Sequence, residues 1–272
     1  MQVVVIPIYK KDLTNFEVKS LRQCYRLLGK YRIVLVCSNK LNTYLYEKVS
    51  EECGVVVSKE YFNASYFESI SGYNRLLLSM DFYKRFDGHI YMLIYQLDSY
   101  IFKNNLEEWC GLNVDYIGAP LIGDYDKYIY DPLNMVVGNG GFSLRKISSF
   151  VDRFSYKKRL FSFHGLLVKN DALNIRKFYR RIPLAFLMSL GYRNSFGHYA
   201  SNWRYNEDDF WCSFLKGTPL GLSTPSFSKA IQFSFERFPS ILYQLNNFEL
   251  PFGCHAWEKY EYESFWGKYI HV

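Results

Sequence analysis

Asp98 ends the string Tyr95-Gln96-Leu97-Asp98, and a carboxylate set in so apolar a run needs a partner, because burying an unpaired charge is costly. With the Gln96 amide two positions earlier, it is a candidate contact for a metal ion or a nucleotide; capping a turn or pairing with a nearby lysine is the ordinary alternative. His255 stands between Gly253-Cys254 and Ala256-Trp257. A lone histidine is open to a purely structural role, but an imidazole joined to the Asp98 carboxylate makes an oxygen-plus-nitrogen site suited to manganese or a similar divalent cation. Glu207, Asp208 and Asp209 directly precede Phe210 and Trp211. Packing against buried rings raises a carboxylate toward the range of a general base. Acids also suit a helix N-terminus, and the two roles are compatible. Gly138-Asn139-Gly140-Gly141 leaves backbone amides uncovered for close approach by a ligand, or simply forms a β-bulge or hairpin.

Elements must deliver these groups to one place. Residues 2–9 are a β-branched run ending at Pro7-Ile8-Tyr9, the pattern of a central parallel strand whose loop meets a ligand at the carboxyl edge of a sheet. Residues 17–28 have helical spacing with Gly29 as a stop, and 31–37 supply a second strand. A second helix over 41–53, stopped by Gly54, and a short third strand over 55–57 extend a doubly wound pattern. Residues 66–83 read as one helix that presents Tyr73, Asn74 and Arg75 to the same edge as Asp98, or as a surface helix with an exposed arginine. Residues 90–102 read as one buried strand. No glycine-rich G-x-G-x-x-G turn follows the first strand and no Walker lysine motif occurs, which argues against a dinucleotide-binding Rossmann enzyme and a P-loop NTPase. Phosphates in such a fold are most simply neutralised by a divalent cation.

At 272 residues the chain can bury a large core. Its 25 tyrosines and 23 phenylalanines suit a cleft lined by rings, and equally a ring-rich interior. A net charge of +7 predicts attraction to nucleotide phosphates, nucleic acid or an anionic membrane; no nucleic-acid motif accompanies it. Six scattered cysteines without a Cys-x-x-Cys pair predict reduced thiols in a cytosolic protein. The first residues lack the features of a signal peptide, and no apolar run approaches the roughly 20 residues of a membrane helix. Residues 156–204 are basic and aromatic, with Lys157-Lys158-Arg159, Arg176-Lys177 and Arg180-Arg181. They fit either a solvated helical face or one that rests on anionic lipid headgroups.

Taken in order, the strings YQLDSYIF, GNGGFSLR, NEDDFW and LPFGCHAW resemble a family of bacterial GT-A-fold glycosyltransferases, many catalogued only as a domain of unknown function and found with surface-polysaccharide genes. The resemblance runs from the first strand to near the C-terminus. It implies an α/β fold of GT-A (Rossmann-like) type: one domain over 1–272 with a mixed central sheet flanked by helices, in which 1–105 hold a nucleotide-diphosphate sugar and 106–272 the acceptor. Gln96-Leu97-Asp98 matches the family's Asp-x-Asp motif with an amide in the first place, leaving Asp98 and His255 to hold Mn2+ or Mg2+ and Gln96 to bond a ribose hydroxyl. By the same resemblance Asp208 is the base of an inverting transfer and Glu207 orients the acceptor. Pro7, Tyr9, Tyr73, Asn74 and Arg75 surround the nucleotide; Asn139, Gly140 and Gly141 floor the donor sugar, with Trp211 and Trp257 as sugar-facing rings. The implied acceptor is a saccharide carried on polyprenyl pyrophosphate, used for O-antigen or capsule at the inner face of the cytoplasmic membrane. A nucleotidyltransferase that makes a sugar nucleotide, and a non-catalytic carbohydrate-binding protein of the same fold, are the alternatives.

Overall fold

The computed structural model describes residues 1–121, 136–168 and 175–271, and their side chains except those of 121, 167, 168 and 175–181. Six strands form the main sheet: β1 (Gln2–Pro7), β2 (Arg32–Ser38), β3 (Val57–Phe62), β4 (Tyr91–Tyr95), β6 (Tyr116–Ile117) and β9 (Phe142–Lys146), in the order β3-β2-β1-β4-β9-β6. The first four run parallel, and β9 is antiparallel to both β4 and β6. The sheet is therefore mixed, with helices flanking it. Alternate residues explain why it holds: Val3, Val5, Val34, Val36, Met92 and Ile94 pack into one apolar layer, while Val4, Ile6, Ile33, Leu35, Leu93 and Tyr95 pack into the other. Apolar side chains on both faces are what a parallel sheet covered on both sides requires.

Helix α1 (Asn15–Leu28) starts at a capping box. The Glu17 N–H donates to the Thr14 hydroxyl (3.2 Å), and the Thr14 N–H donates back to the Glu17 carboxylate (2.9 Å). It ends at Gly29, as the spacing predicts. Helix α2 (Tyr44–Glu52) closes at Cys53 and Gly54, the glycine at φ 67°, and the chain turns back so that β3 begins at Val57, where the sequence pattern has its third strand ending.

Two expected elements are divided. Residues 66–83 are not one helix: Ser69 and Ser79 each accept a backbone N–H and start new helices, α3 (Ile70–Leu77) and α4 (Met80–Lys84). Serine caps thus override the apolar period. Residues 90–102 are not one strand either. The chain leaves the main sheet after Tyr95, turns at Gln96-Leu97-Asp98, where the Ser99 N–H donates to the Gln96 carbonyl (2.9 Å), and enters a second sheet as β5 (Ser99–Ile101). That small sheet pairs β5 with β11 (Gly253–His255), and β11 with β10 (Ser234–Phe235), while β7 (Pro120–Leu121) and β8 (Val136–Val137) pair by themselves.

Among the described residues no helix is long and apolar enough to cross a membrane. The basic segment folds as helices Phe163–Val168, Ile175–Ser189 and Phe196–Ser201. The side chains of Arg176, Lys177, Arg180 and Arg181 lie outside the described residues.

Candidate active site

A cleft of about 660 Å3 opens at the carboxyl ends of β1 and β4, a volume in the usual range for small-molecule sites. It collects residues far apart in sequence: Pro7, Tyr9, Tyr73, Asn74, Gln96, Asp98, Asn139, Gly140, Gly141, Glu207, Asp208 and His255 all line it. Seven carboxylate side chains face two basic ones, Lys10 and His255, among its described lining. Tyr9 stands 63% exposed at the rim.

One wall is made by the turn between β4 and β5. Antiparallel pairing of β5 with β11 sets His255 opposite Ser99, the residue after Asp98. His255 Nε2 then lies 3.2 Å from Asp98 Oδ1 and 3.2 Å from Gln96 Oε1, while its Nδ1 lies 3.2 Å from Glu236 Oε1. Burial works against a charged imidazole here, but Asp98 and Glu236 outweigh it and hold His255 up at about 10. Burial likewise opposes ionisation of Asp98, yet His255 keeps that carboxyl below its ordinary value. Among the described residues no group of three His, Cys, Asp or Glu is placed to hold a metal ion. The Asp98 carboxylate and the Gln96 amide oxygen meet at His255 Nε2, and only with the imidazole deprotonated do the three make the oxygen-plus-nitrogen set that manganese accepts.

The opposite wall is built on a loop, a strand and a helix start. Asn139 adopts φ 73°, a left-handed conformation that asparagine tolerates, and its side-chain oxygen accepts the N–H groups of Gly141 (3.1 Å) and Phe142 (3.3 Å). Its backbone N–H donates to Asp208 Oδ2 (2.9 Å), and the Asp209 N–H donates to Oδ1 (3.0 Å). Burial pushes Asp208 above its ordinary value even against these two donors. The Asn139 side-chain nitrogen is buried in the cleft lining and has no partner among the described residues. Asn74 on α3 ties the segment down: its oxygen accepts the Glu207 N–H (3.3 Å) and its nitrogen donates to the Tyr205 carbonyl (3.3 Å).

Glu207 is only 2% exposed, and its carboxylate is engaged on both oxygens by Arg145, at 2.7 and 3.3 Å. Arg145 is fully buried; it also donates to the Tyr83 hydroxyl (2.9 Å) and to the Gly140 carbonyl (3.3 Å). Burial opposes its charge, but Glu207, Tyr83 and Tyr116 hold it well above the ordinary arginine range. Glu207 is pushed by burial up to about 7 against the pull of Arg145.

The two glycines join these walls. A Cβ on Gly140 would stand 2.1 Å from Glu207 Oε1, and one on Gly141 would stand 2.0 Å from His255 Nε2. The Gln96 N–H donates to the Gly141 carbonyl (2.9 Å), so the loop also fixes the Gln96 turn.

Three expected site residues are elsewhere. Trp211 and Trp257 are 0% exposed, packed in separate apolar clusters and absent from the cleft lining, because a flat indole surrounded by other rings is worth more buried than displayed. Arg75 is exposed and absent from the cleft lining; on α3 it follows Asn74 by one position, about 100° round the helix, so the two face different ways. Conversely, Arg145 pairs with Glu207 and Glu236 with His255, and neither Arg145 nor Glu236 is an expected site residue. Ser143 and Arg145, alternating with Phe142 and Leu144, are a polar face in a strand otherwise fit for the core, which is a readable signal; Glu236 has none in the sequence.

Residues 57–255 match the family model described as "Protein of unknown function (DUF5672)". No curated protein matches the sequence. Similar solved structures include core-mannan synthase A (CmsA/Ktr4) from Aspergillus fumigatus in a Mn/GDP form, 8% identical, with a TM-score of 0.43 over 77% of this chain and 71% of that one. The galactosyltransferase LgtC in complex with donor and acceptor sugar analogues is 12% identical, with a TM-score of 0.48 over 94% and 86%. A cytidylyltransferase from Leptospira borgpetersenii is 8% identical, with a TM-score of 0.34 over 72% of each chain.

Proposed function

We infer for this chain, which belongs to DUF5672, a family of proteins of unknown function, that it is a glycosyltransferase of GT-A type. It moves a hexose from a nucleotide-diphosphate sugar to a saccharide acceptor. One observation carries the reading: Asp98 with His255 and Gln96, which can take a cation in exchange for the imidazole proton, and a cleft-facing carboxylate, Asp208, line a single cleft on either side of the Gly140-Gly141 loop. The excess of carboxylates there supports a cation as part of the donor site, since a diphosphate entering alone would meet mainly negative charge.

Asp98 and His255 would hold the divalent ion, whose chemistry is to stabilise the charge that develops on the departing diphosphate. Pro7, Tyr9 and Tyr73 enclose the nucleoside, and Gln96 bonds the ribose or the cation. Residues 1–105 thus supply most of the donor side and 106–272 the acceptor side. The acceptor hydroxyl attacks the anomeric carbon, the bond from that carbon to the diphosphate oxygen breaks with its electron pair leaving on the diphosphate, and the hydroxyl proton passes to Asp208. Attack from the face opposite the leaving group inverts the anomeric centre. The backbone donors of Asn139 and Asp209 hold Asp208 in place, and its raised pKa suits a base that must take a proton. Glu207 acts here through Arg145, fixing the loop and helix start that carry Asp208, rather than through the acceptor. The acceptor class is a polyprenyl-pyrophosphate-linked saccharide of O-antigen or capsule synthesis, met on the cytoplasmic side of a membrane.

Calorimetry with UDP, GDP, CDP and dTDP sugars, each with and without manganese, tests the reading. Cation-dependent binding of one nucleotide class is expected, kept by Asp208→Asn while turnover falls about 100- to 10,000-fold. Binding of none would leave the non-catalytic carbohydrate-binding protein as the better account, and unchanged turnover in Asp208→Asn would remove the base from its role.

A further inference from the structure

The chain's positive charge is not spread over it. Residues 156–204 hold ten lysines and arginines against one acid, Asp171, a net of +9 in a chain whose total is +7, so the rest of the sequence is net −2. Among the described residues the same segment carries a concentration of exposed apolar side chains. In helix Ile175–Ser189 and the turn after it, Leu184, Phe186, Leu187, Leu190 and Tyr192 are 49, 56, 49, 65 and 49% exposed. Pro183, Phe186, Leu187 and Leu190 recur at i, i+3, i+4 and i+7, the spacing of an apolar stripe, while Ala185 is the buried position. A stripe of that kind normally faces a core; this one faces outward.

Basic residues are fastened beside it. Arg159 donates to the Ser189 carbonyl at the helix end. The Leu160 N–H donates to the Asn194 carbonyl (3.0 Å), and the Asn194 side-chain nitrogen bonds the carbonyls of Phe161 (2.7 Å) and Met188 (2.9 Å). These bonds lay 159–161 along 188–194, at the C-terminal end of the stripe, where Arg193 is exposed and which the exposed Lys157 and Lys158 lead into.

We propose that this face docks on an anionic lipid bilayer, the apolar stripe entering the headgroup boundary and the surrounding cations facing lipid phosphates. Charge complementarity selects this occupant. A second copy of the chain at the same patch would bring the exposed Lys157, Lys158, Arg159 and Arg193 of two chains together, whereas an anionic leaflet offers both an apolar layer and opposite charge. The segment leads through helix Phe196–Ser201 to Asn206 and Glu207 in the cleft lining, so the docking face and the cleft are joined by one short stretch of chain. The inference stands on this surface alone and does not need the transfer reading.

Co-sedimentation of the full chain with vesicles tests it. Wild-type protein is expected to pellet with phosphatidylcholine vesicles that contain phosphatidylglycerol and to stay in solution with phosphatidylcholine alone. Phe186→Ser/Leu187→Ser/Leu190→Ser should lose the pellet. Lys157→Ala/Lys158→Ala, whose exposed positions leave the fold intact, should weaken partitioning about thirtyfold at low salt, the worth of two cations at an anionic leaflet. Failure of the wild type to pellet with anionic vesicles, or equal pelleting of wild type and both variants, overturns the proposal. So does a lipid-independent dimer that the triple substitution abolishes, which would assign the stripe to a second copy.

Discussion

The two polar clusters on either side of Gly140-Gly141 use the same chemistry to opposite ends. On the Gly141 side, His255 sits between Asp98 and Glu236 with side chains 13, 36 and 19% exposed, so the cluster stays open to the cleft. On the Gly140 side, Arg145 and Glu207 are 0 and 3% exposed and bonded at both carboxylate oxygens. The open cluster can exchange its proton for a cation and its partners for a ligand. The sealed one cannot, and it holds the loop from which Asp208 is presented. Acidic residues one position apart, Glu207 and Asp208, thereby fall into different classes: burial and pairing, not residue type, decide which carboxylate is free to react.

Unpairing the sealed cluster should have the largest effect, and an unequal one. Glu207→Leu leaves a buried guanidinium that is held charged and cannot shed its proton, so it should cost about 3–5 kcal/mol in urea unfolding. Arg145→Leu should cost clearly less, because Glu207 already sits near neutrality and can take a proton. The double substitution to leucine should recover part of the loss, as apolar replacements of buried pairs do. Equal costs for the two single variants would show that the pair is not charged as described.

The glycines give a sharper contrast at smaller amplitude. Gly141→Ala puts a methyl where His255 Nε2 stands, so the imidazole must move; cation-dependent nucleotide binding should weaken at least about tenfold while stability falls by about 1–3 kcal/mol. Gly140→Ala presses on the Glu207 carboxylate instead and should lower stability with cation affinity kept. If both alanines change cation binding alike, the two clusters are one unit.

These contrasts separate what a sequence makes visible from what it hides. β1, α1 and β2 are legible because apolar period and terminal glycine agree, and each is decided by neighbours in sequence. The break at Gln96-Leu97-Asp98 is not, because apolar runs flank it on both sides and only pairing with β11, some 150 residues on, turns the second part into another sheet. Asp98 and His255 can be named from their types, and their 3.2 Å meeting is a product of that same pairing. Glu236, which follows β10, depends on the pairing of β10 with β11 and gives no local sign. Trp211 and Trp257 mislead for the reverse reason: a tryptophan beside polar motifs suggests a sugar platform, but neighbouring rings supply a better partner in the interior.

Proton uptake gives the smallest and most discriminating test, because the sealed and the cleft-facing acid act on different observables. Glu207 has a folded-state pKa raised from 4.5 to about 7. Its contribution to stability is therefore complete below pH 4.5, where both folded and unfolded chains hold the proton, and is lost as pH rises toward 7, where only the folded chain still holds it. Unfolding midpoints across this window should fall with pH from this group, and Glu207→Gln, which cannot titrate, should flatten that part of the slope. Asp208 is also raised by burial, but a base acts only when ionised, so turnover should increase with pH through an acid limb displaced above the ordinary aspartate value. Glu207→Gln should leave the position of that limb in place. A limb that moves with Glu207→Gln would mean that the two carboxylates titrate as one, and the division between the sealed and the reactive acid would fail.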